Sequence, residues 1–312
     1  MRTATKATGI KLSNKAWATS STLYRTAFAS VAALAAATAN DAMALPTGAQ
    51  VESGDISISQ PTGTDLIVNQ GSDRAVINWQ NFDILHGEST RFNQPGANSI
   101  ALNRVRDGNP TQILGKLSAN GKLVLVNPNG VFFGAGSTVD VAGMIATTAD
   151  TSTANFNAGK LQFDRAGNPD AVIENRGTIT AAEGGLVALI APKVIQGGII
   201  QAKAGTVALA SGRTATIDMY GDDLYSFAVG TDGKGVSNTG KITAGNILMT
   251  ANAAKDVVTN VVNNTGVLEA SGAHMDGGTI VLDGGSSGKV SVAGSVKATG
   301  KKGGTVTVTG KN

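Results

Sequence analysis

The sequence predicts an all-β fold in which short parallel strands wind in stacked coils as a β-solenoid. Two observations carry this prediction. The 312 residues include 41 glycines but only 7 prolines, and aromatic residues make up 4%, a composition that suits short strands and tight turns and weakens helices. A short segment with the pattern Gly-x-aliphatic-x-Ala also recurs in the second half of the chain, as expected of stacked repeats.

The recurring segment has three close copies and two looser ones: residues 175–181, 238–244 and 264–270, then 198–202 and 294–298. Because side chains alternate between the two faces of a strand, the aliphatic residue and the alanine of each copy share one face, which we expect to be the core. Gly177 lies 21 residues before Gly198 and 63 before Gly240. These intervals predict a coil of about 21 residues, with insertions later in the chain.

A second strand is predicted after each copy, at residues 185–189, 205–209, 245–249, 278–282 and 304–308. Strands of equal phase are then expected to stack about 4.8 Å apart from coil to coil. An antiparallel sandwich also has short strands and glycine turns, but it gives no reason for one signature to recur at multiples of one length. The solenoid is therefore the favoured interpretation.

Three asparagines occupy the same phase of the repeat, namely Asn175, Asn238 and Asn264. Two interpretations stay open for them. Their side chains either form part of a ladder inside the solenoid or favour the turn before the next strand.

Two stretches interrupt the repeat. Residues 149–172 contain Phe156 and Phe163, and residues 214–235 contain the aromatic residues Tyr220, Tyr225 and Phe227. We expect both stretches to be excursions whose aromatic side chains pack back onto the solenoid, with a binding role as the alternative.

The first 44 residues are predicted to be a signal peptide. A basic segment ends at Arg25, residues 27–37 are apolar, and Ala42 and Ala44 provide the small-x-small pattern that a signal peptidase cleaves. We expect cleavage after Ala44, with Ala39 as the alternative. The apolar run is about half as long as a membrane-spanning helix needs, and no later segment is long enough. The mature chain is therefore expected to have no transmembrane segment.

The formal net charge of +3 is a property of this leader. Five of the basic residues precede residue 45, and removing them together with the acidic Asp41 leaves 20 basic and 21 acidic residues, a charge of −1. No later stretch has the clustered basic residues that phosphate binding needs, so a nucleic-acid partner is not expected. The five basic residues are Arg2, Lys6, Lys11, Lys15 and Arg25.

The chain has no cysteine, so its stability outside the cell is expected to come without disulfides.

Residues 45–148 also alternate like strands, but individual motifs replace the glycine repeats. The tetrad at 127–130 is a predicted turn in which Pro128 sets φ at the first central position, while Asn129 and Gly130 tolerate positive φ. Four motifs follow one another in this order: Asn78-Trp79-Gln80, Asn103-Arg104-Val105, Asn120-Gly121 and Asn127-Pro128-Asn129-Gly130.

Together these motifs resemble the N-terminal secretion domain of two-partner-secretion exoproteins, the filamentous haemagglutinin family, and most of all its high-molecular-weight adhesin branch. The resemblance covers about residues 45–250. It implies a right-handed parallel β-helix with an N-terminal cap and short extra-helical excursions. It also implies recognition by a dedicated outer-membrane β-barrel transporter through the motif residues, which are Asn78, Trp79, Asn103, Arg104, Asn127, Pro128, Asn129 and Gly130.

The companion Asn-Pro-Asn-Leu motif of the haemagglutinin branch is absent, and Asn93-Gln94-Pro95 is the nearest sequence. This departure leaves open which residues the transporter reads. The expected organisation is a signal peptide at 1–44, a two-partner-secretion domain at 45–250 and continuing β-helix repeats at 251–312. The expected destination is the surface or exterior of a Gram-negative bacterium, reached across both membranes through the periplasm.

Catalysis is not expected. β-Helix enzymes that cleave polysaccharides need clustered acids, or calcium with a basic residue, along one groove, and the acids here do not recur at coil spacing. The only two histidines, His86 and His274, are too few and too far apart to suggest a zinc site. The Asp-Gly-Gly segments at 276 and 283 lack the strict period of calcium repeats. We expect no metal and no cofactor.

Two functions stay open beside secretion. The first is adhesion, in which the displayed solenoid binds a host-cell glycan or protein receptor. The other is the carrier portion of a contact-dependent toxin exoprotein, which requires sequence beyond residue 312. Because residues 304–312 lie within a repeat and form no amphipathic cap, we expect either a fragment of a longer exoprotein or a short gene.

Overall fold

The computed structural model describes residues 44–218, 226–252, 260–271 and 277–311. Most of the predicted signal peptide, including Ala39 and Ala42, lies outside these residues, as do Tyr220, Tyr225 and His274. Within them the chain is almost entirely β, with 28 strands and one short helix. No helix of this described part is long and apolar enough to cross a membrane.

The first fourteen strands and the helix are, in chain order, β1 (Gln50–Ser53), β2 (Ile56–Thr62), β3 (Asp65–Gln70), β4 (Arg74–Trp79), β5 (Ser89–Asn93), β6 (Ile100–Val105), β7 (Thr111–Ile113), β8 (Lys116–Ala119), β9 (Lys122–Val126), β10 (Gly130–Phe133), β11 (Thr138–Val141), β12 (Gly143–Thr147), α1 (Thr153–Asn157), β13 (Leu161–Phe163) and β14 (Val172–Asn175).

The remaining strands are β15 (Thr178–Ala181), β16 (Leu186–Ala191), β17 (Lys193–Gln196), β18 (Ile199–Ser211), β19 (Ala215–Asp218), β20 (Ser226–Val229), β21 (Gly235–Asn238), β22 (Lys241–Ala251), β23 (Asn260–Asn264), β24 (Val267–Ser271), β25 (Thr279–Asp283), β26 (Lys289–Val292), β27 (Ser295–Thr299) and β28 (Thr305–Thr309).

Most strands pair in parallel with the strand at the same position one coil later, which produces three ladders. The first ladder runs β3, β5, β8, β11, β15, β18, β22, β24 and β27. The second runs β4, β6, β9, β12, β16, β18, β22, β25 and β28. The third runs β7, β10, β14, β17, β21, β23 and β26.

The first two ladders share one 18-stranded sheet because β18 and β22 continue from one ladder into the other, and the third ladder is a separate seven-stranded sheet. The prediction of an all-β, mainly parallel, β-helix-like fold is confirmed. Since each strand pairs with the coil before and after it, like residues stack above like.

The repeated signature forms the interior, as predicted. Ile179, Ile200, Ile242 and Leu268 pair in register from coil to coil, and each is fully buried. The predicted interval of 21 residues is found between Thr178 and Ile199. The 63 residues between the two distant glycines, however, span two coils and not three. The second of these coils is lengthened to 42 residues, since Ile199 pairs with Lys241, and the extra length is an excursion.

Glycines stack in a column where the coils from Gly177 onward enter the first ladder. A Cβ added to Gly198, Gly240, Gly266 or Gly294 would lie 2.1–2.2 Å from the carbonyl oxygen of the preceding glycine of the column. No side chain fits at such a distance, so successive coils approach each other here more closely than any other residue allows.

Residues 44–62, here called the cap, precede the first coil. Strand β1 pairs antiparallel with β4, and β2 pairs antiparallel with β3. Both cap strands are mostly exposed. The cap therefore covers the start of the parallel ladders with two strands of opposite direction.

Both predicted excursions leave the ladders. The first contains α1 and β13, the second contains β19 and β20, and the three strands form an antiparallel sheet. Phe156 and Phe163 are fully buried against the outer side of the second ladder, among residues such as Val76 and Leu102. Packing of the aromatic residues back onto the solenoid is thus confirmed for the first excursion. The side chain of Phe227 lies outside the described residues.

The two interpretations of the repeated asparagines both hold. The Asn175 amide donates to Gln196 Oε1 over 2.8 Å, and the Asn238 amide donates to Asn264 Oδ1 over 2.8 Å. All four side chains are fully buried. Asn175 Oδ1 and Asn238 Oδ1 also accept from the backbone N–H two residues later, so the same side chains shape the turn. Gln196 is a member that the repeat pattern did not indicate.

Candidate functional site

The tetrad predicted to be a turn joins β9 to β10. The Gly130 N–H donates to the Asn127 carbonyl over 3.0 Å, and the Asn129 N–H donates to Asn127 Oδ1 over 2.9 Å. Asn127 is fully buried, and its amide donates to the Asn109 carbonyl and to Thr111 Oγ1, both over 2.9 Å. Asn127 therefore fastens the turn to the preceding coil.

Gly130 is the one residue of the tetrad that uses positive φ. Its φ is +116°, and an added Cβ would lie 2.4 Å from the Val172 carbonyl oxygen. Asn129 does not need its tolerance of positive φ, because the described non-glycine residues with positive φ are Ala204 and Asp232. Asn129 is half-buried and donates to the Asp107 carbonyl over 3.2 Å.

Trp79 and Asn103 meet inside the core. The indole Nε1–H donates to Asn103 Oδ1 over 2.9 Å, and both residues are 1% exposed. The Trp79 ring also packs edge-on against Phe82, with ring centroids 5.4 Å apart. Since β4 and β6 are neighbours in the second ladder, this contact joins the first coil to the second.

Arg104 is a buried cation with partners from two distant segments. Its guanidinium is 4% exposed and contacts Glu52 Oε2 of the cap over 2.8 Å and Asp150 Oδ1 of the first excursion over 2.7 Å. It also donates to the Thr151 carbonyl over 2.7 Å and to Thr153 Oγ1 over 3.0 Å. The planar guanidinium holds several acceptors at once, so this side chain ties the cap, the second coil and the excursion together.

Glu52 is the acceptor that these segments share. Thr153 Oγ1 donates to its Oε1 over 2.5 Å, and the Asn78 amide donates to its Oε2 over 2.9 Å. The hydrogen bond from Thr153, then the one from Asn78, and the nearby charge of Arg104 hold the pKa of the Glu52 carboxyl below its usual value. Asn78 Oδ1 in turn accepts from Arg106 Nη2 over 2.7 Å.

The structure thus places the eight predicted motif residues in three groups. Asn78 and Arg104 meet at Glu52, Trp79 pairs with Asn103, and residues 127–130 form a turn supported by the loop after β6. Glu52, Asp150 and Asp107 were not predicted as site residues, because they come from other segments and carry no local sequence signal. The eight motif residues are Asn78, Trp79, Asn103, Arg104, Asn127, Pro128, Asn129 and Gly130.

Little of this set is accessible in the folded domain. Trp79, Asn103, Arg104 and Asn127 are at most 4% exposed. Gly130 is also buried, and the remaining three are half-buried. The motif residues therefore act in the folded state mainly as internal hydrogen-bonding groups.

The expected cleavage residue Ala44 stands at the start of the described chain, where its N–H donates to Glu88 Oε1 over 2.8 Å. Ala42 lies outside the described residues. In the described part of the chain, no three acidic, histidine or cysteine side chains are grouped so that they could hold a metal ion.

Residues 42–298 match the family model of the TPS secretion domain. The chain is 32% identical over 259 residues to a heme/hemopexin-binding protein of Haemophilus influenzae, which covers 73% of this chain and 27% of that protein. It is 37% identical over 256 residues to the heme/hemopexin-binding protein of H. influenzae strain KW20 / Rd, covering 79% of this chain and 28% of that protein. This chain thus spans little more than a quarter of the length of these relatives.

The crystal structure of the HMW1 secretion domain from H. influenzae has a similar fold. It matches with a TM-score of 0.71 and 30% identity, over 83% of this chain and 68% of the other. Parallel coils, a cap and buried polar motifs define the class of the protein, a secretion domain of an exported passenger.

The chain belongs to the TPS secretion domain family, whose exoproteins leave the cell by two-partner secretion. The predicted likeness to the high-molecular-weight adhesin branch is confirmed. Membership implies a partner transporter in the outer membrane and export to the cell surface or the extracellular space.

Proposed function

We propose that residues 45–250 are the secretion signal and folding nucleus of a surface or secreted adhesin, and that the partner β-barrel transporter reads the motif residues before the chain folds. One observation supports this order of events. The motif side chains Trp79, Asn103, Arg104 and Asn127 are at most 4% exposed once folded. A transporter has access to them only in the unfolded chain.

The route of export follows from the same proposal. Residues 1–44 act as a signal peptide for the inner membrane, and cleavage after Ala44 releases the chain into the periplasm of a Gram-negative cell. Outside the outer membrane, the chain winds as a right-handed parallel β-helix. Each finished coil offers an open strand edge to the next, so folding proceeds along the chain through residues 251–312 and draws the chain outward.

The passenger that this domain carries is the second part of the proposal. An adhesin that contacts a host-cell glycan or protein is the first candidate. A second candidate is an exoprotein that binds heme or hemopexin, because two relatives carry that name. Neither a toxin carrier nor a polysaccharide-acting enzyme has support of this kind, and we propose that the chain has no catalytic activity. Two binding assays on the exported protein distinguish the candidates: titration with hemin tests the heme-binding exoprotein, and binding to immobilised host-cell glycans tests the adhesin.

Export with and without the partner transporter tests the secretion role. We expect Asn127→Ala with Asn129→Ala to lower export at least tenfold and to leave the protein in the periplasm. The matched control replaces Asn263, an outward-facing asparagine of β23, with alanine and leaves export unchanged.

A core variant separates recognition from folding. Val187 is fully buried in β16, two coils after β9, so Val187→Asp blocks coil formation without altering a motif residue. We expect its chain to enter the transporter and stall, with its N-terminus accessible outside the cell. Unchanged export of the tetrad variant, or export without the transporter, contradicts the recognition proposal. An unchanged export rate for Val187→Asp contradicts the folding-driven step.

A further inference from the structure

Signal-peptide cleavage creates a free α-amino group, and we infer that the buried carboxylate of Glu88 is the site that receives it. This inference rests on the proposed cleavage after Ala44. It gives Glu88 the function of holding the processed N-terminus against the first coil.

Glu88 is a buried acid that has no cationic partner within the described residues. Its side chain is 3% exposed. Oε1 accepts from the Ala44 N–H over 2.8 Å, and Oε2 accepts from the Leu85 N–H over 2.6 Å. The ion pairs of the described residues involve other acids. A buried carboxylate is normally paired with a charge, so its position beside the expected cleavage point calls for a cation there.

The chain is anchored directly after that point. Leu45 and Pro46 are buried, and Leu45 belongs to the main hydrophobic core. The Thr47 N–H donates to the Asn81 carbonyl, and the Gln80 N–H donates to the Thr47 carbonyl, both over 3.0 Å. The nitrogens of consecutive residues are at most about 4 Å apart. The amino group of Leu45 is therefore held within a short distance of the position that the Ala44 nitrogen occupies.

Cleavage changes what Glu88 can bind. Hydrolysis of the bond after Ala44 removes the N–H that Glu88 Oε1 accepts, so this buried oxygen loses its donor. The same hydrolysis leaves Leu45 with an ammonium group that has three N–H donors and a positive charge. A charge-assisted hydrogen bond between the two replaces the lost contact and neutralises the carboxylate. The negative charge of Glu88 is therefore compensated by this ammonium group only in the processed chain.

Three titratable groups of the described residues are adjacent to Glu88 in sequence or across the first ladder. His86 is exposed in the turn before Glu88. Asp65 and Lys116 flank Ser89 in the first ladder, and the Lys116 N–H donates to the Glu88 carbonyl. His86→Gln is used as the background for a pH experiment, so that the proteins compared differ only at Glu88 or at the α-amino group. Asp65 and Lys116 are kept unchanged in every variant, so they are common to all the proteins compared.

The first step of the test is sequencing of the exported protein, where an N-terminal Leu45 is expected. Urea unfolding of this protein is then measured at pH 7 and pH 10, beside Glu88→Gln and beside the same protein acetylated at its α-amino group. A carboxylate partner raises the pKa of the amine above its ordinary value of about 8, so the added stability is present below that range and is lost as the pH rises through the raised pKa.

We expect the unfolding equilibrium constant of the exported protein to increase between pH 7 and pH 10 by about tenfold more than in either control, a factor that equals a pKa change of about one unit. Acetylation removes the charge without altering Glu88, so it keeps the test valid if Glu88→Gln folds poorly. Identical pH profiles for the exported, acetylated and Glu88→Gln proteins overturn the inference but not the cleavage. An N-terminus other than Leu45 overturns the proposed cleavage and the inference with it.

Discussion

The indole N–H of Trp79 donates to Asn103 Oδ1 over 2.9 Å. The hydrogen bond joins the first coil to the second, and both side chains are buried. The contact gives both the tryptophan and the asparagine a physical role at these positions. An apolar ring fills the core, and its single donor finds its acceptor one coil later.

Removing the acceptor of this pair is expected to destabilise the domain. Asn103→Ala leaves the buried indole N–H without a partner, which costs about 1–3 kcal/mol. Trp79→Phe in the same chain removes the donor, so the two changes together are expected to cost less than their sum. Urea unfolding followed by circular dichroism measures the cycle. Asn93→Ala, at an exposed amide in β5, serves as control, and additive costs in the cycle rule out direct coupling.

Replacement of Arg104 by another cationic residue is expected to destabilise the domain. Arg104→Lys loses the planar group that reaches Glu52, Asp150 and the Thr151 carbonyl together, so we expect a loss of about 1–3 kcal/mol. The matched change Arg176→Lys affects an exposed pair with Glu174, 61% and 22% exposed, and is expected to cost less than about 1 kcal/mol. Thermal unfolding compares the two variants, and equal losses of stability contradict a special role for the guanidinium of Arg104.

Acid is expected to weaken the link between the cap and the first excursion. The pKa of Glu52 is lowered in the folded protein, chiefly by the hydrogen bond from Thr153. The stabilisation by its carboxylate is therefore present above the ordinary pKa of 4.5 and is lost as the pH falls through the lower, folded value. Glu52→Gln removes this contribution, so its melting temperature approaches that of the wild type as the pH falls from 6 towards 3. Thr153→Val shows an intermediate dependence, and parallel profiles would falsify the link.

Substitutions at Gly130 and Gly136 distinguish the cost of a strained backbone from the cost of a steric clash with a neighbouring coil. Gly130 has φ +116° and would place a Cβ 2.4 Å from Val172, whereas Gly136 has φ +84° and no heavy atom within 4 Å of an added Cβ. Gly136→Ala is expected to cost about 1–2 kcal/mol for the left-handed backbone alone. Gly130→Ala adds a clash with a backbone atom and is expected to cost at least about 1–3 kcal/mol more. Calorimetry of both variants measures the difference, and a difference near zero contradicts a rigid contact at the turn.

The periodic part of the fold was predictable because its physical cause repeats. The strands β15, β18, β22 and β24 each bury an aliphatic residue and an alanine two positions later, so Ile179, Ile200 and Ile242 carry one signal at one phase. The number of coils was less accessible, because an excursion inserted between Ile200 and Ile242 happens to match the length of one coil. Periodicity in the sequence does not distinguish a coil from an insertion of equal length.

The candidate site was predictable only in part. The turn at Asn127 and Gly130 has a local chemical signature, and the structure has that turn. The partners of Arg104 have none, since Glu52 and Asp150 lie 52 and 46 residues away. Which coil faces which excursion depends on three-dimensional packing, so these contacts became visible only in the structure.

The glycine column has a consequence for how such chains change in length. Each glycine of the column packs against the corresponding turn of the coil before it, so a whole coil that is duplicated or deleted brings or removes its own contact and leaves the rest of the column intact. Gain or loss of part of a coil, in contrast, places a side chain where Gly198 or Gly240 now abuts a carbonyl oxygen at 2.1 Å. We therefore expect tolerated insertions to be of two kinds. They are either complete coils or excursions that leave the ladders and return to them between two consecutive glycines of the column.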